Sequence, residues 1–514
     1  MACCRRGAGV AEIDGEHGYW FPWVVCAAVL GNVLECYLIA AFQGLSDEVF
    51  ASLLPVEPFG SPTGVFFGVG LTVRYFAGCV VGRAADRKGV ARVLQASCVG
   101  LGGSALLLGL LPAYSFLGFA TPVCFAILWF IGAFIGSAQL PAAALLAFDL
   151  APRRWRGLCS GLVLGSSYFG ACCSSLVVLL LRSFKPASLS LWRLVFVLGG
   201  VLGAFTFCLQ RCLLPTSAEL GRIRATDAKQ EKRAGAQCAA VGLACAGWMM
   251  PAHVPARWLP AFLSSHVHVW SSLEPRLLLA VVQGHLASLL VLFGLLSDLV
   301  GQAPVLASGH LTSLLWPLLL WWMAHAPELF SGFAAYVVLN ASLAAAGGPL
   351  LAWLIELLSS DMEKRCSRLT NTWNFLQALL TGLAVLTTAL LEKPHRGGTL
   401  AVGLSCAVAG MAGMRGVLVG LRLNPSVARP SAAAAAYGVV GGLQATSFGQ
   451  RQDEANGDLE AELEEELVEL QGGCGFEAKP SKRPQRQGSP KEDAHELEDV
   501  PLADDEDPLG EPEV

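Results

Sequence analysis

Charged residues are scarce: only 15% of the 514 positions are Asp, Glu, Lys or Arg, where a soluble domain carries about a quarter. That scarcity excludes one or two ordinary soluble domains, which could not hide so much apolar surface from water. Catalytic signatures are missing too. None of the 17 cysteines falls in a paired CxxC frame, so zinc is not expected. No Walker loop, HExxH or GxSxG stands in a supporting context, so ATPase, zinc protease and serine hydrolase chemistry are not indicated. The chain reads as a non-enzyme with no cofactor and no nucleic-acid partner. Residues 1–19 include Glu12, Asp14 and Glu16 and lack an apolar core, so no signal peptide is expected and the first span acts as its own insertion signal.

What is present is apolar length. Hydrophobic residues make up 54% of the chain and the mean hydropathy is +0.54. A span needs about 20 apolar residues, and on that measure spans fall at roughly 20–42, 62–83, 92–112, 119–147, 158–181 and 191–213. A polar connection follows, and then roughly 235–262, 276–297, 303–325, 327–356, 367–391 and 398–421. The seventh is the weakest, interrupted by Pro251, Pro255 and Pro260. The expected organisation is a segment at 1–19, a six-helix bundle at 20–214, a linker at 215–234, a second bundle at 235–422 and an acidic tail at 423–514. The fold class is therefore an all-α membrane protein of twelve transmembrane helices in two six-helix bundles.

Charge is segregated along the chain. Residues 423–514 hold 21 acidic against 7 basic residues, net −14, leaving 19 acidic against 28 basic elsewhere, net +9. Basic residues gather in alternate loops: Arg83, Arg87, Lys88 and Arg92; Arg153, Arg154 and Arg156; Lys364, Arg365 and Arg368. By the positive-inside rule these loops and both termini are cytosolic; the plasma membrane is favoured. In the tail, Leu459, Leu463, Leu467 and Leu470 lie at helical spacing within the acidic 453–471 segment. It is either a solvated segment, which is favoured, or a short amphipathic helix for a cytosolic partner. Cys3-Cys4 beside Arg5-Arg6 is a weak acylation pattern.

The strongest motif is Gly82-Arg83-Ala84-Ala85-Asp86-Arg87-Lys88-Gly89 between spans two and three. Glycine permits a tight turn and close helix approach, and Asp86 is suited to pair with arginines or helix ends. An ordinary basic loop would need neither the acid nor the paired glycines. The element recurs between spans eight and nine as Gly294 to Gly301 with Asp298. Recurrence after six spans points to two related halves around a midplane site.

Four further stretches are distinctive: Gly31-Asn32-Val33-Leu34-Glu35-Cys36-Tyr37, Val73-Arg74-Tyr75-Phe76-Ala77-Gly78, Gly109 to Tyr114, and Ala151 to Gly157. With Trp192-Arg193 and Leu214-Pro215-Thr216 they follow the order of the metabolite:proton symporter branch of the major facilitator superfamily. The chain resembles that branch, which includes proline/betaine, α-ketoglutarate, citrate and shikimate carriers. The first half is covered nearly end to end; Asp298, Glu356-Leu357-Leu358 and Trp373-Asn374 anchor the second. The resemblance implies secondary transport of a small polar or organic-ion metabolite by alternating access, with proton coupling. The runner-up reading is a sensor on the same scaffold, or an uncoupled facilitator. Three positions charged in that branch are neutral here: Leu38, Trp129 and Gln139.

Two ionisable residues remain deep in the apolar runs, Glu35 and Arg74. A charge at the bilayer centre costs about 2.5–3.5 kcal/mol, so it normally has a partner or a polar cavity. At about 1.5 Å per residue they differ in depth by about 9 Å, within reach of two long side chains. They line the solute path or form a purely structural pair. The pathway set is Asn32, Glu35, Arg74, Gln139 and Asn374; the gating set is Gly82, Asp86, Arg87, Gly89 and Asp298. Asn374 and Gln377, close together on span eleven, either face the cavity or bond between helices. His285 and His310 more often indicate interhelical bonding than a proton relay. The sequon at Asn340 falls inside a span and should be unused.

Overall fold

A computed structural model describes residues 21–54, 62–184, 190–215, 234–254, 258, 274–325, 329–358, 364–391 and 398–424. The tail with its 453–471 segment, Cys3-Cys4 and most of the 215–234 linker lie outside the described residues.

Among the described residues every regular element is a helix. They are α1 (Phe21–Leu53), α2 (Pro62–Lys88), α3 (Val90–Gly109), the single turn α4 (Tyr114–Leu117), α5 (Ala120–Gly136), α6 (Gln139–Leu150), α7 (Arg156–Phe184) and α8 (Leu191–Leu213). After the linker come α9 (Ala234–His253), α10 (Pro275–Val300), α11 (Gln302–Thr312), α12 (Trp316–His325), α13 (Leu329–Gly347), α14 (Leu350–Leu358), α15 (Arg365–Leu391) and α16 (Gly398–Leu423). Among the described residues, ten helical stretches are long and apolar enough to cross a membrane. The helices α9 and α15 fall outside that count but keep the seventh and eleventh places in the order.

Several boundaries differ from the sequence reading. The α-helical part of the seventh helix runs to His253, with Val254 and Trp258 in π-helical conformation, and the expected end near 262 lies outside the described residues. The second continues through Lys88, so Gly82 and Asp86 sit on a helix and not in a loop. The turn is confined to Gly89, at φ 94°, with Gly301 at φ 108° as its counterpart; an L side chain is strained there. Three expected spans are broken. Proline removes one N–H and collides with the carbonyl four residues earlier. Pro141, Pro317 and Pro349 thus account for the breaks between α5 and α6, in the 3-10 turn Ser313–Leu315, and between α13 and α14.

Two seams join the first-half helices to the second: α2 against α15, and α7 against α10. The second seam is built from small residues. Gly157, Gly161 and Gly165 recur at four-residue spacing and so share one face of α7. A Cβ on Gly157 would stand 2.5 Å from the Gly294 carbonyl, one on Gly161 would strike the Leu290 carbonyl, and one on Gly165 would lie 2.9 Å from that of Ala287. Within the first half α3 crosses α8 at Gly102 and Gly203, where a Cβ on Gly203 would stand 2.5 Å from the Gly102 Cα. That obstacle is backbone and cannot swing away. Gly203→Val is therefore expected to lose about 1–3 kcal/mol through overpacking, read as a lowered unfolding temperature in detergent; an unchanged temperature would refute the close crossing.

Candidate functional site

A cavity of about 640 Å³ lies between the halves. From α1 it takes Asn32, Glu35 and Gln43; from α2, Phe67 and Arg74; from α5, Trp129; from α7, Tyr168; and from the second half Trp248, His253, Arg276, Gln283, Trp373 and Gln377. Glu35 and Arg74, 4% and 7% exposed, form an ion pair, Arg74 Nη1 to Glu35 Oε1. A charge taken from water needs such compensation. Neither Glu35 Oε2 nor Arg74 Nε has a hydrogen-bond partner among the described residues. Gly136 admits the pair: a Cβ there would stand 2.6 Å from Glu35 Oε1.

The other pathway candidates divide. Asn32 lines the cavity and donates to Ser166 and Ser167 Oγ, both at 2.8 Å, tying α1 to α7. Gln139 is fully buried outside the lining. Its Nε2 donates to Ser97 Oγ at 2.8 Å, holding α6 to α3 behind Gly31. Asn374 also lies outside the lining. It donates to the Ser137 carbonyl at 2.8 Å, the same carbonyl that Pro141 frees from helical bonding. Its neighbours Trp373 and Gln377 face the cavity instead. Of the three positions charged in the resembled branch, Leu38 and Trp129 line the cavity, and the Trp129 ring centroid lies 4.3 Å from that of Phe42. His310 and Asn340 are buried away from the lining.

At the end of the molecule that carries Gly89, the halves cap each other. The first backbone N–H groups of a helix lack intrahelical partners and carry the positive end of its dipole. Asp86, on α2, accepts from Cys366 N at 2.9 Å and Ser367 N at 3.0 Å, at the start of α15. Asp298, on α10, accepts from Gly157 N at 2.7 Å and Leu158 N at 2.8 Å, at the start of α7. Asp86 thus caps a helix of the other half, where an arginine partner was the alternative in sequence. Gly82 serves close approach, its Cβ position 2.7 Å from the Ser367 Cα, and Gly294 does the same against Gly157. Arg87 is exposed. Two ion pairs cross beside these caps: Arg365 Nη1 to Asp149 Oδ1 at 2.6 Å and Arg156 Nη1 to Glu356 Oε1 at 3.3 Å. Both guanidiniums stack on Phe148, with Cζ 5.5 and 4.2 Å from the ring centroid. No sequence signal announced these pairs; their partners lie 200 or more positions apart.

The Major Facilitator Superfamily profile matches residues 36–381. The chain belongs to the Major Facilitator Superfamily. It is a multi-pass membrane protein and a secondary solute transporter, not an enzyme. A glycine betaine/proline/ectoine/pipecolic acid transporter, OusA of Dickeya dadantii (strain 3937), is 22% identical over 397 residues, 72% of this chain and 77% of the relative. The proline/betaine transporter of Escherichia coli (strain K12) is 23% identical over 308 residues, 55% of this chain and 61% of the relative. Among solved structures, the proton:xylose symporter XylE bound to 6-bromo-6-deoxy-D-glucose superposes with a TM-score of 0.62 at 15% identity, covering 79% of this chain and 96% of that one. The inward open form of XylE from E. coli gives 0.57, also at 15% identity, with 79% and 97% covered.

Proposed function

We propose that this superfamily member carries a small polar or organic-ion metabolite through the cavity at Glu35 and Arg74, with proton coupling through Glu35. The supporting observation is the buried ion pair on the cavity wall. A carboxylate there can exchange a proton for its arginine contact as the cavity changes side, and the neutral Leu38, Trp129 and Gln139 leave Glu35 as the leading acid on the path. The two units that rock are residues 20–214 and 235–422. Asp86 and Asp298, with Gly82 and Gly89, form the gate, and Arg87 adds positive charge beside it. With both termini cytosolic, that gate is the cytosolic one and the structure corresponds to its closed state. The plasma membrane is the favoured location.

Reconstituted uptake tests the coupling. Labelled organic acids, betaines and sugars are screened by counter-flow, and the accepted solute is then followed with and without an imposed pH gradient. Glu35→Gln should abolish gradient-driven accumulation while downhill exchange persists. Wild-type uptake that ignores the gradient would make the protein a facilitator and Glu35 a structural residue.

A further inference from the structure

The charges on the described lining do not cancel. Among the described residues, Glu35, Arg74 and Arg276 are the Asp, Glu, Lys and Arg side chains that line the cavity. Glu35 neutralises Arg74, which leaves the Arg276 charge over. Glu48 and Glu274 lie near Arg276 and act on its charge, but each also holds another partner and neither is on the lining. Glu48 pairs with Arg182 at 2.7 Å. Glu274 caps α10, accepting from Arg276 N and Leu277 N at 2.8 and 2.9 Å. Arg276 Nη2 donates to the Gly44 carbonyl at 2.9 Å, across the halves and far from the Asp86 gate. Its Nη1 is buried with no partner among the described residues.

Beside the unpartnered Glu35 Oε2, most of the remaining unpaired polar groups on the lining are donors. Arg74 Nε and the indole N–H groups of Trp129, Trp248 and Trp373 are buried, donor-only and unpartnered among the described residues, and all four side chains line the cavity. Gln283 and Gln377 contribute unpartnered carbonyl acceptors. Between these groups the walls are apolar. Trp248 and Trp373 lie 6.3 Å apart, and Phe67, Leu128 and Phe196 add further hydrocarbon.

The geometry points to an organic monoanion with an apolar body as the solute, its carboxylate held by Arg276 and its body lodged against the tryptophans. This rests on the cavity being the solute site. Arg276 has no carboxylate beside it on the described lining and an unpartnered Nη1, which matches one carboxylate; a di- or tricarboxylate would bring further negative charge that no described lining cation is left to meet. A sugar would bring no anion to the Arg276 guanidinium.

Equilibrium dialysis of radiolabelled phenylacetate against the purified full-length chain tests this directly. Saturable binding is expected, displaced by unlabelled phenylacetate but not by equal concentrations of phenylacetamide, glycine betaine or D-xylose. Arg276→Gln should weaken binding about tenfold or more, the usual scale for losing a charge-assisted contact. Arg276→Lys should stay within severalfold, which separates lost charge from lost fold. Absence of saturable binding, equal displacement by phenylacetamide, or unchanged affinity in a folded Arg276→Gln overturns the inference. Phenylacetate binding without counter-flow overturns the transport reading and leaves this one standing. Counter-flow of betaine or xylose without phenylacetate binding does the reverse.

Discussion

Arg74→Ala is expected to abolish uptake and to destabilise the protein by about 3–5 kcal/mol, the scale for stranding one member of a buried ion pair. The cause is Glu35. At 4% exposure its carboxylate cannot recover the hydration it gave up, and no other cation lies within ion-pair distance of it among the described residues. Arg74→Lys should restore stability in large part but transport only in part, since an ammonium lacks the planar fork. The informative control is the double variant Glu35→Gln/Arg74→Ala. Removing the stranded charge should return most of the lost stability, because paired residues are non-additive. Thermal unfolding in detergent and uptake in liposomes are the two readouts. Single and double variants of equal stability would show that the pair does not hold charge against charge.

Removing both acids of the proposed gate, Asp86 and Asp298, should loosen the end that they cap. In Asp86→Asn/Asp298→Asn each side chain keeps an oxygen that can accept but loses its charge at a helix N-terminus. A loss of about 1–2 kcal/mol at each cap amounts to about 2–4 kcal/mol in all. That shifts the balance between the gate-closed and gate-open states roughly thirtyfold or more. A cysteine at a position buried by the closed end, such as Gly161→Cys in the α7–α10 seam, would strain the closed packing itself. Ser367→Cys beside the cap is the better reporter. Its labelling by a membrane-impermeant maleimide from the gate side should rise sharply in the double variant while insertion stays normal. Labelling equal to that of the Ser367→Cys parent would sink the gate assignment.

The ion pair and the two caps are legible in the sequence for different reasons. Glu35 and Arg74 stood out because a charge inside an apolar run demands a partner whatever the fold. Asp86 and Asp298 stood out because the same glycine and acid spacing occurs twice, each copy offset by the length of one half. What the sequence could not show was helical phase. In a helix that is apolar all round no stripe marks the inward face, so Gln139 and Asn374 were placed on the path although they brace helices behind it. The pairs of Arg156 with Glu356 and Arg365 with Asp149 were hidden for another reason. Basic residues at loop boundaries already had an explanation as topological signals, and nothing local reveals an acid 200 positions away. The prolines told of interruption, but not that Asn374 would receive the carbonyl Pro141 releases.

The glycine seam between α7 and α10 has a mechanical consequence. Interdigitated side chains must change rotamer before two helices can slide past each other, and each such change adds to the barrier. A face built from Gly157, Gly161 and Gly165 has none to change, and its partner presents backbone carbonyls. The seam therefore behaves as a bearing: it bears load by close contact, yet has no teeth to disengage. Along this seam, resistance to motion then comes from the rim, from the Asp298 cap and the Arg156 guanidinium on Phe148. The temperature dependence of turnover should accordingly report the breaking of a few polar contacts at one edge, with little contribution from the sliding surface.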